Sequence, residues 1–206
     1  MEIDNKQVFR SSLYNFLKFA IENPSEKMVL DCGAGGSTPP LSLFYSYGFK
    51  TYGIDISEDQ IKEAIDYCTD KKVDLNIKYG DMRDIPFIDG TFGYVYSIYS
   101  SIHLSKKDTG IAIREMERVL KKGGLLYINF LTKEDQFYGA GEERNPGECT
   151  ENFDGEEVLH SYYEDDEPDA YFIDSEIIYK EKRKILIRTD VPQYRSCTLD
   201  YIAKKK

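Results

Sequence analysis

Several functional classes are set aside by what the chain has little of. Cations are outnumbered: 27 Lys and Arg stand against 37 Asp and Glu, for a formal net charge of -10 and a sequence pI near 4.8. Binding to a phosphate backbone rests on clustered Lys and Arg, so nucleic acid is not an expected substrate. Cysteine is sparse, and Cys32, Cys68, Cys149 and Cys197 are scattered without C-x-x-C spacing. Neither a zinc site nor a disulfide framework is suggested, and no metal is expected. No apolar run approaches the ~18 residues of a membrane span. Residues 1–10 mix charges and lack the apolar middle of a signal peptide. The expectation is a cytoplasmic protein with reduced thiols and no membrane partner. A length of 206 residues suits a single domain with a substantial core.

Glycine is placed with purpose. Residues 28–37 read M-V-L-D-C-G-A-G-G-S: Met28, Val29 and Leu30 form a short buried strand, and Gly33, Gly35 and Gly36 let the backbone turn and approach a ligand closely. A second apolar strand over 52–54 ends in Asp55, about 20 residues beyond the glycines, where a carboxylate can accept from both hydroxyls of a ribose. A nucleoside is the implied ligand. Such a loop suits dinucleotides and S-adenosylmethionine alike. The dinucleotide pattern wants a third glycine where Thr38 stands and has no need of Asp31 on the preceding strand.

Strand and helix alternate along the chain. Phe9, Leu13, Phe16, Leu17, Ala20 and Ile21 fall at helical spacing until Asn23-Pro24. Pro39 and Pro40 suit the first turn of a helix closed by Gly48. Ser57 with Gln60 makes a capping box for a helix whose apolar face is Ile61, Ala64, Ile65 and Cys68. A third strand covers 75–79 and a central one 92–98. Ser105 caps a helix carrying Ile113, Met116, Val119 and Leu120, ended by Gly123 and Gly124 and followed by a strand over 125–131. Helix alternating with strand is the signature of a parallel sheet covered on both faces. Residues 133–169 change character, with repeated acids, several glycines and aromatics. A connection this long is a lid, a binding loop or a disordered segment, and its aromatics argue against full disorder. Its acids fit a solvated surface, a lid for a cationic acceptor, or a partner interface, the first being usual for charge runs. Strands over 176–188 and 194–202 form an antiparallel pair, and the Lys204–Lys206 tail should fray.

Three stretches carry a family resemblance. Asp31-Cys32-Gly33-Ala34-Gly35-Gly36 resembles the first motif of the class I S-adenosylmethionine-dependent methyltransferases, small-molecule type. Gly80-Asp81-Met82-Arg83-Asp84-Ile85-Pro86-Phe87 resembles their Gly-Asp-apolar-x-x-apolar-Pro-Phe segment, and residues 116–131 resemble the helix and fifth strand of these enzymes. The resemblance covers roughly residues 8–131. It implies a Rossmann-like doubly wound α/β sheet, mostly parallel with an antiparallel C-terminal strand pair. It also implies one methyltransferase domain over 1–206 with an acidic lid-like insertion at about 133–169. S-adenosylmethionine would be the cofactor and S-adenosylhomocysteine the product. Asp31 would lie near the methionine end, the amides of Gly33, Ala34, Gly35 and Gly36 along the cofactor, Asp55 on the ribose and Ile56 on adenine. Asp81 would accept from the adenine amino group, Met82 would touch the ring, and the main chain near Ser97 would meet the methionine ammonium. Arg10, Tyr14 or Phe16 of the leading helix could cover the site.

For the acceptor, a small metabolite is expected, because the Asn-Pro-Pro-Tyr or Asp-Pro-Pro-Tyr motif of amino-methylating nucleic-acid and glutamine enzymes is absent after the central strand. His103 follows that strand and titrates near neutrality, which suits a catalytic proton acceptor. His160 can also reach the pocket from the lid. Two alternatives stay open: an NAD(P)-dependent oxidoreductase, and a non-catalytic cofactor-binding module holding a basic partner.

Overall fold

Val29, Leu30 and Cys32 are wholly buried because β1 (Met28–Cys32) lies in the middle of a sheet covered on both faces. The computed structural model describes residues 8–153, 155–187 and 194–206. Residues 1–7, and residue 188 where a strand end was expected, lie outside the described residues. Around β1, helices and strands alternate as α1 (Ser11–Glu22), α2 (Leu41–Ser46), β2 (Lys50–Asp55), α3 (Glu58–Lys71), β3 (Ile77–Tyr79), β4 (Phe92–Ser97), α4 (Lys106–Val119) and β5 (Leu120–Thr132). Strands β3-β2-β1-β4-β5 are parallel in that order. Then β10 (Tyr194–Lys205) runs antiparallel to β5, and β9 (Ser175–Ile187) antiparallel to β10. The fold is a Rossmann-like doubly wound sheet, mostly parallel, with an antiparallel C-terminal pair.

Each face has its own apolar layer. Leu13, Phe16, Leu17 and Ala20 of α1 pack with Phe44, Tyr96 and Tyr127 on one face, and Ile113, Met116 and Val119 of α4 pack with Leu30, Phe92 and Val95 on the other. Phe16 stacks on Tyr127 with ring centroids 5.5 Å apart, so it is core and not a cover for the site. No helix among the described residues is long and apolar enough to cross a membrane.

Local chemistry departs from expectation at four places. Ser57 accepts from the Gln60 amide at 3.3 Å, but its own amide donates to Asp55 Oδ1 at 2.9 Å, so only half of the capping box forms. Ile65 is half exposed at 51%, because the buried stripe of α3 runs through Ile61 and Ala64. Helix α4 stops at Val119, since Leu120 already pairs with Phe92; Gly123 and Gly124 fall within β5. The C-terminal lysines do not fray: Lys204 and Lys205 belong to β10, and Lys205 Nζ donates to the Leu120 carbonyl at 2.8 Å.

The 133–169 stretch contains a three-stranded antiparallel meander of β6 (Glu142–Asn145), β7 (Glu148–Phe153) and β8 (Glu156–Tyr163). β8 pairs with β5 through Leu131↔Tyr162 and Thr132↔Tyr163. Leu131 is also paired with Thr198 of β10. One edge of β5 therefore belongs to β10, and β8 takes the other, beyond the point where β4 ends at Ser97↔Ile128. This sets the meander over the carboxyl end of the central strand. Acids of the stretch are largely partnered within the chain: Glu167 with Lys106 at 2.5 Å, and Asp166 and Asp169 with Lys180 at 2.6 and 2.7 Å.

Candidate active site

In an open parallel sheet, neighbouring connections diverge where the strand order reverses, and a crevice forms at the carboxyl ends of the strands. Here that point lies between β1 and β4. A cleft of about 600 Å³ opens there, walled by Gly33, Gly35, Asp55, Ile56, Asp81 and Met82 on one side and by Ile98, Tyr99, Ser100 and His103 on the other.

The glycine loop is held by the protein itself. Gly33 and Ala34 amides donate to the Ile54 carbonyl at 2.8 and 3.0 Å, Gly36 to the Gln60 carbonyl at 2.9 Å, and Gly35 to Asp55 Oδ2 at 2.9 Å. These amides fix the loop, which brings Gly33 and Gly35 to the cleft wall. Ala34 is fully buried, and neither it nor Gly36 lines the cleft. A Cβ on Gly33, whose φ is +102°, would lie 2.0 Å from Ser100 Oγ; one on Gly35 would lie 2.4 Å from Gln60 Cβ and 2.8 Å from Asp55 Oδ2. Close packing of loop, α3 and the segment after β4 thus demands glycine at both positions.

Asp55 ends β2 on the cleft wall, with Oδ1 accepting from the Ser57 amide and Oδ2 from Gly35, both at 2.9 Å. Each oxygen keeps a second lone pair for a ligand hydroxyl. Ile56 lines the same wall and is 56% exposed. Asp31 is different. It is fully buried and off the cleft wall, with the Tyr96 hydroxyl beside it and no cation paired with it among the described residues. Burial pushes its pKa well up, the Tyr96 hydroxyl opposes this, and the Asp55 charge adds to it.

Two further predicted residues sit in surroundings the sequence did not announce. Asp81 lines the cleft beside Met82, and its carboxylate is engaged by Arg83: the Arg83 amide and Nε reach Oδ1 at 2.8 and 3.0 Å, and Nε and Nη2 reach Oδ2 at 3.0 and 2.6 Å. Three N–H groups thus share roughly four acceptor sites, and an adenine amino group would compete with Arg83 for this carboxylate. Ser97 itself is fully buried and off the cleft wall, and the main chain next to it, Ile98, Tyr99 and Ser100, makes the wall after β4.

Tyr99 is the cleft residue that periodicity did not single out. Its φ of +56° is uncommon for an aromatic residue, and the strained turn is pinned by its amide donating to Asn129 Oδ1 at 2.8 Å, a buried side chain on β5. Arg10 lies over the Tyr99 ring at 3.9 Å, while Tyr14 is exposed. Thr38, Gln60 and Arg83 also line the cleft; the half-formed capping box was the one sequence signal for Gln60.

His103 lines the cleft, and its ring centroid is 4.8 Å from that of His160 on β8. His103 Nδ1 lies 3.3 Å from the Leu159 carbonyl. A carbonyl only accepts, so it fixes the proton on Nδ1 and leaves Nε2 as the basic nitrogen. Partial withdrawal from water lowers the His103 pKa against the raising effect of that bond; withdrawal and the nearby His103 lower that of His160, against Asp135. Both imidazoles are therefore neutral at pH 7.

Residues 30–128 match a family model described as a methyltransferase domain. The chain is 36% identical over 107 residues to the 2-methyl-6-phytyl-1,4-hydroquinone methyltransferase of Synechocystis sp., covering 51% of this chain and 32% of that one. It is 32% identical over 109 residues to ajmaline N-methyltransferase of Rauvolfia serpentina, covering 52% of this chain and 36% of that one. The chain thus spans about a third of the length of these curated relatives. Among solved structures, the PH0226 protein of Pyrococcus horikoshii OT3 superposes with a TM-score of 0.76 at 22% identity, covering 98% of this chain and 93% of that one. A SAM-dependent methyltransferase from Methanosarcina mazei gives 0.74 at 20% identity, covering 97% and 99%. At these identities the likeness is one of fold.

Proposed function

From the methyltransferase-domain match over residues 30–128 and the likeness to methyltransferases in sequence and fold, we propose that the chain is a class I S-adenosylmethionine-dependent methyltransferase and moves the methyl group of S-adenosylmethionine to a small-molecule acceptor. The observation that carries this reading is the cleft at the reversal of strand order, with an acid at the end of β2 and a tightly packed glycine turn at the end of β1.

The residues fit the cofactor. Asp31, a buried carboxylate with no ion-pair partner among the described residues, has a use for a cation, and the ammonium of the methionine end would supply one through water. Asp55 would hold the ribose through its remaining lone pairs, and Ile56 and Met82 offer apolar surface to adenine. When bound, S-adenosylmethionine supplies an electrophilic methyl: the acceptor's lone pair forms the new bond to carbon as the carbon–sulfur bond breaks and its electron pair passes to sulfur. His103, neutral and with Nε2 free of the Leu159 contact, would take the acceptor's proton. Tyr99 and the meander over the end of β4 would limit water. The net charge of -10 supports a small molecule over a nucleic acid, and the cytoplasm over a membrane surface, as its setting.

Calorimetric titration with S-adenosylhomocysteine tests this. Asp55→Ala should weaken binding by about 1.5 to 3 kcal/mol, the range for charge-assisted hydrogen bonds, and NADH should give no heat. Unchanged affinity in the variant, or NADH binding in place of the nucleoside, refutes the assignment.

A further inference from the structure

A second cavity of about 150 Å³ adjoins the cleft, and Tyr99 lines both. Its other walls include Phe137, Tyr162, His160, Asp135 and Glu151. The strand register explains why these converge. Cys149 is paired with His160 across β7 and β8, so the two lie on one face; Glu151 and Tyr162, two residues along each strand, share it. That face meets Leu131 of β5 and Ile102 of the short helical turn after β4. His103 on the cleft wall and His160 in the cavity are the ring pair 4.8 Å apart, so the cavity lies directly behind the proposed proton acceptor.

Two features of this cavity suit a ligand of one kind. Glu151 is partly buried, with Oε1 shut off from water and without a hydrogen-bond partner, so that oxygen gains from a charged donor. Burial and the Asp135 charge push the Glu151 pKa up, the response of an acid without a counter-charge. Asp135 is itself 4% exposed and held by the Phe137 and Cys197 amides at 3.1 and 2.9 Å, so its charge cannot turn away to solvent. Among the described residues no Lys or Arg lines the cavity, whereas Tyr99, Phe137 and Tyr162 bring three π-faces or edges to it. Aromatic rings with carboxylates are the surroundings that favour a desolvated ammonium.

We propose that this cavity is the anchor for the methyl acceptor's positively charged amine, held by Glu151 and the aromatic walls, with the group to be methylated extending past Tyr99 and His103 into the cleft. As a statement about the acceptor it rests on the methyl-transfer reading; as a statement about a cation site it does not. The amine is a handle and stays protonated; the proton lost in methyl transfer comes from a different group.

The test is calorimetry with 3-methylbutylamine, protonated at pH 7.5, against 3-methylbutan-1-ol, which has the same shape and can also donate a hydrogen bond but carries no charge. Each is titrated with and without S-adenosylhomocysteine, into the wild type and into Glu151→Gln. Binding of the amine at least about tenfold tighter than the alcohol, with that preference lost in Glu151→Gln and S-adenosylhomocysteine affinity unchanged, is the expected result. Equal binding of the two probes, binding of neither, or a preference that survives Glu151→Gln overturns the proposal. Amine preference in a protein that does not bind S-adenosylhomocysteine keeps the cation site and rejects methyl transfer.

Discussion

His103 meets the cleft as a neutral imidazole, and the direction of its pKa shift fixes the pH range in which it can serve. A histidine ordinarily titrates near 6.5; partial withdrawal from water lowers this one. The basic form therefore persists below the ordinary histidine range, and activity is lost only as pH falls through the lowered value. The acid limb of a kcat/KM profile is expected below pH 6.5, and His103→Gln should cut kcat by roughly 10²- to 10⁴-fold with S-adenosylhomocysteine affinity retained. An acid limb at or above pH 6.5, or a variant with undiminished kcat, would falsify the role. Stability follows the same sign. Below the unfolded-state pKa the unfolded chain binds more protons at His103 and His160 than the native one, so their contribution is present above that value and is lost as pH falls through the folded one. Asp31 runs opposite: its raised pKa favours the fold at low pH and penalises it as pH rises, a cost that a cationic ligand relieves.

At the scale of elements, β5 does most of the organising, since it carries β4 and β8 on one edge and β10 on the other. The last residues of β10 belong to that arrangement: Ala203 is fully buried and paired with Leu126, Lys204 is paired with Leu125, and Lys205 Nζ bonds the Leu120 carbonyl. Removing residues 203–206 should therefore cost about 2 to 4 kcal/mol, at roughly 1 kcal/mol net per hydrogen bond plus the lost burial. A urea midpoint indistinguishable from that of the full chain would mean that the tail is frayed after all. This is also where legibility in the sequence ends. Strands β1, β2 and β4 and helices α1, α3 and α4 were readable because burial on one or both faces imposes apolar runs and stripes, and caps such as Ser57 and Ser105 mark their starts. Asp55 and the glycine turn were readable because their spacing is fixed by the crevice. The meander was not, because Glu142, Glu143, Arg144 and Asn145 of β6 are all exposed and the strand leaves no apolar alternation. Glu151 hid for a related reason: a carboxylate facing a cavity and a solvated one are the same letter, and only the β7–β8 register puts it on the face shared with His160 and Tyr162. Arg83 closing on Asp81, two residues away, is a contact that no spacing rule announces.

For the whole molecule, ligand binding and folding are one equilibrium, since the cleft exists only where β1, β2, β4 and the segment after β4 are already assembled. Gly35 is bonded to Asp55, Gly33 abuts Ser100, and Tyr99 is tied to Asn129; unfolding any of the three scatters the site. A ligand that binds only the native state stabilises it by about 2.7 kcal/mol at 100 times its Kd. In a chain of 206 residues each kcal/mol moves the midpoint by about 2 to 4 °C. S-adenosylhomocysteine at that excess should thus raise Tm by about 5 to 10 °C. The same concentration should do less for Asp55→Ala and as much for Glu151→Gln, whose cavity lies behind His103 and outside the nucleoside walls. Scanning calorimetry of the three proteins separates the two pockets in one experiment. A Glu151→Gln protein that loses the nucleoside shift would join the cavity to the cofactor site, whereas an Asp55→Ala protein that keeps the full shift would move the ribose away from β2 altogether.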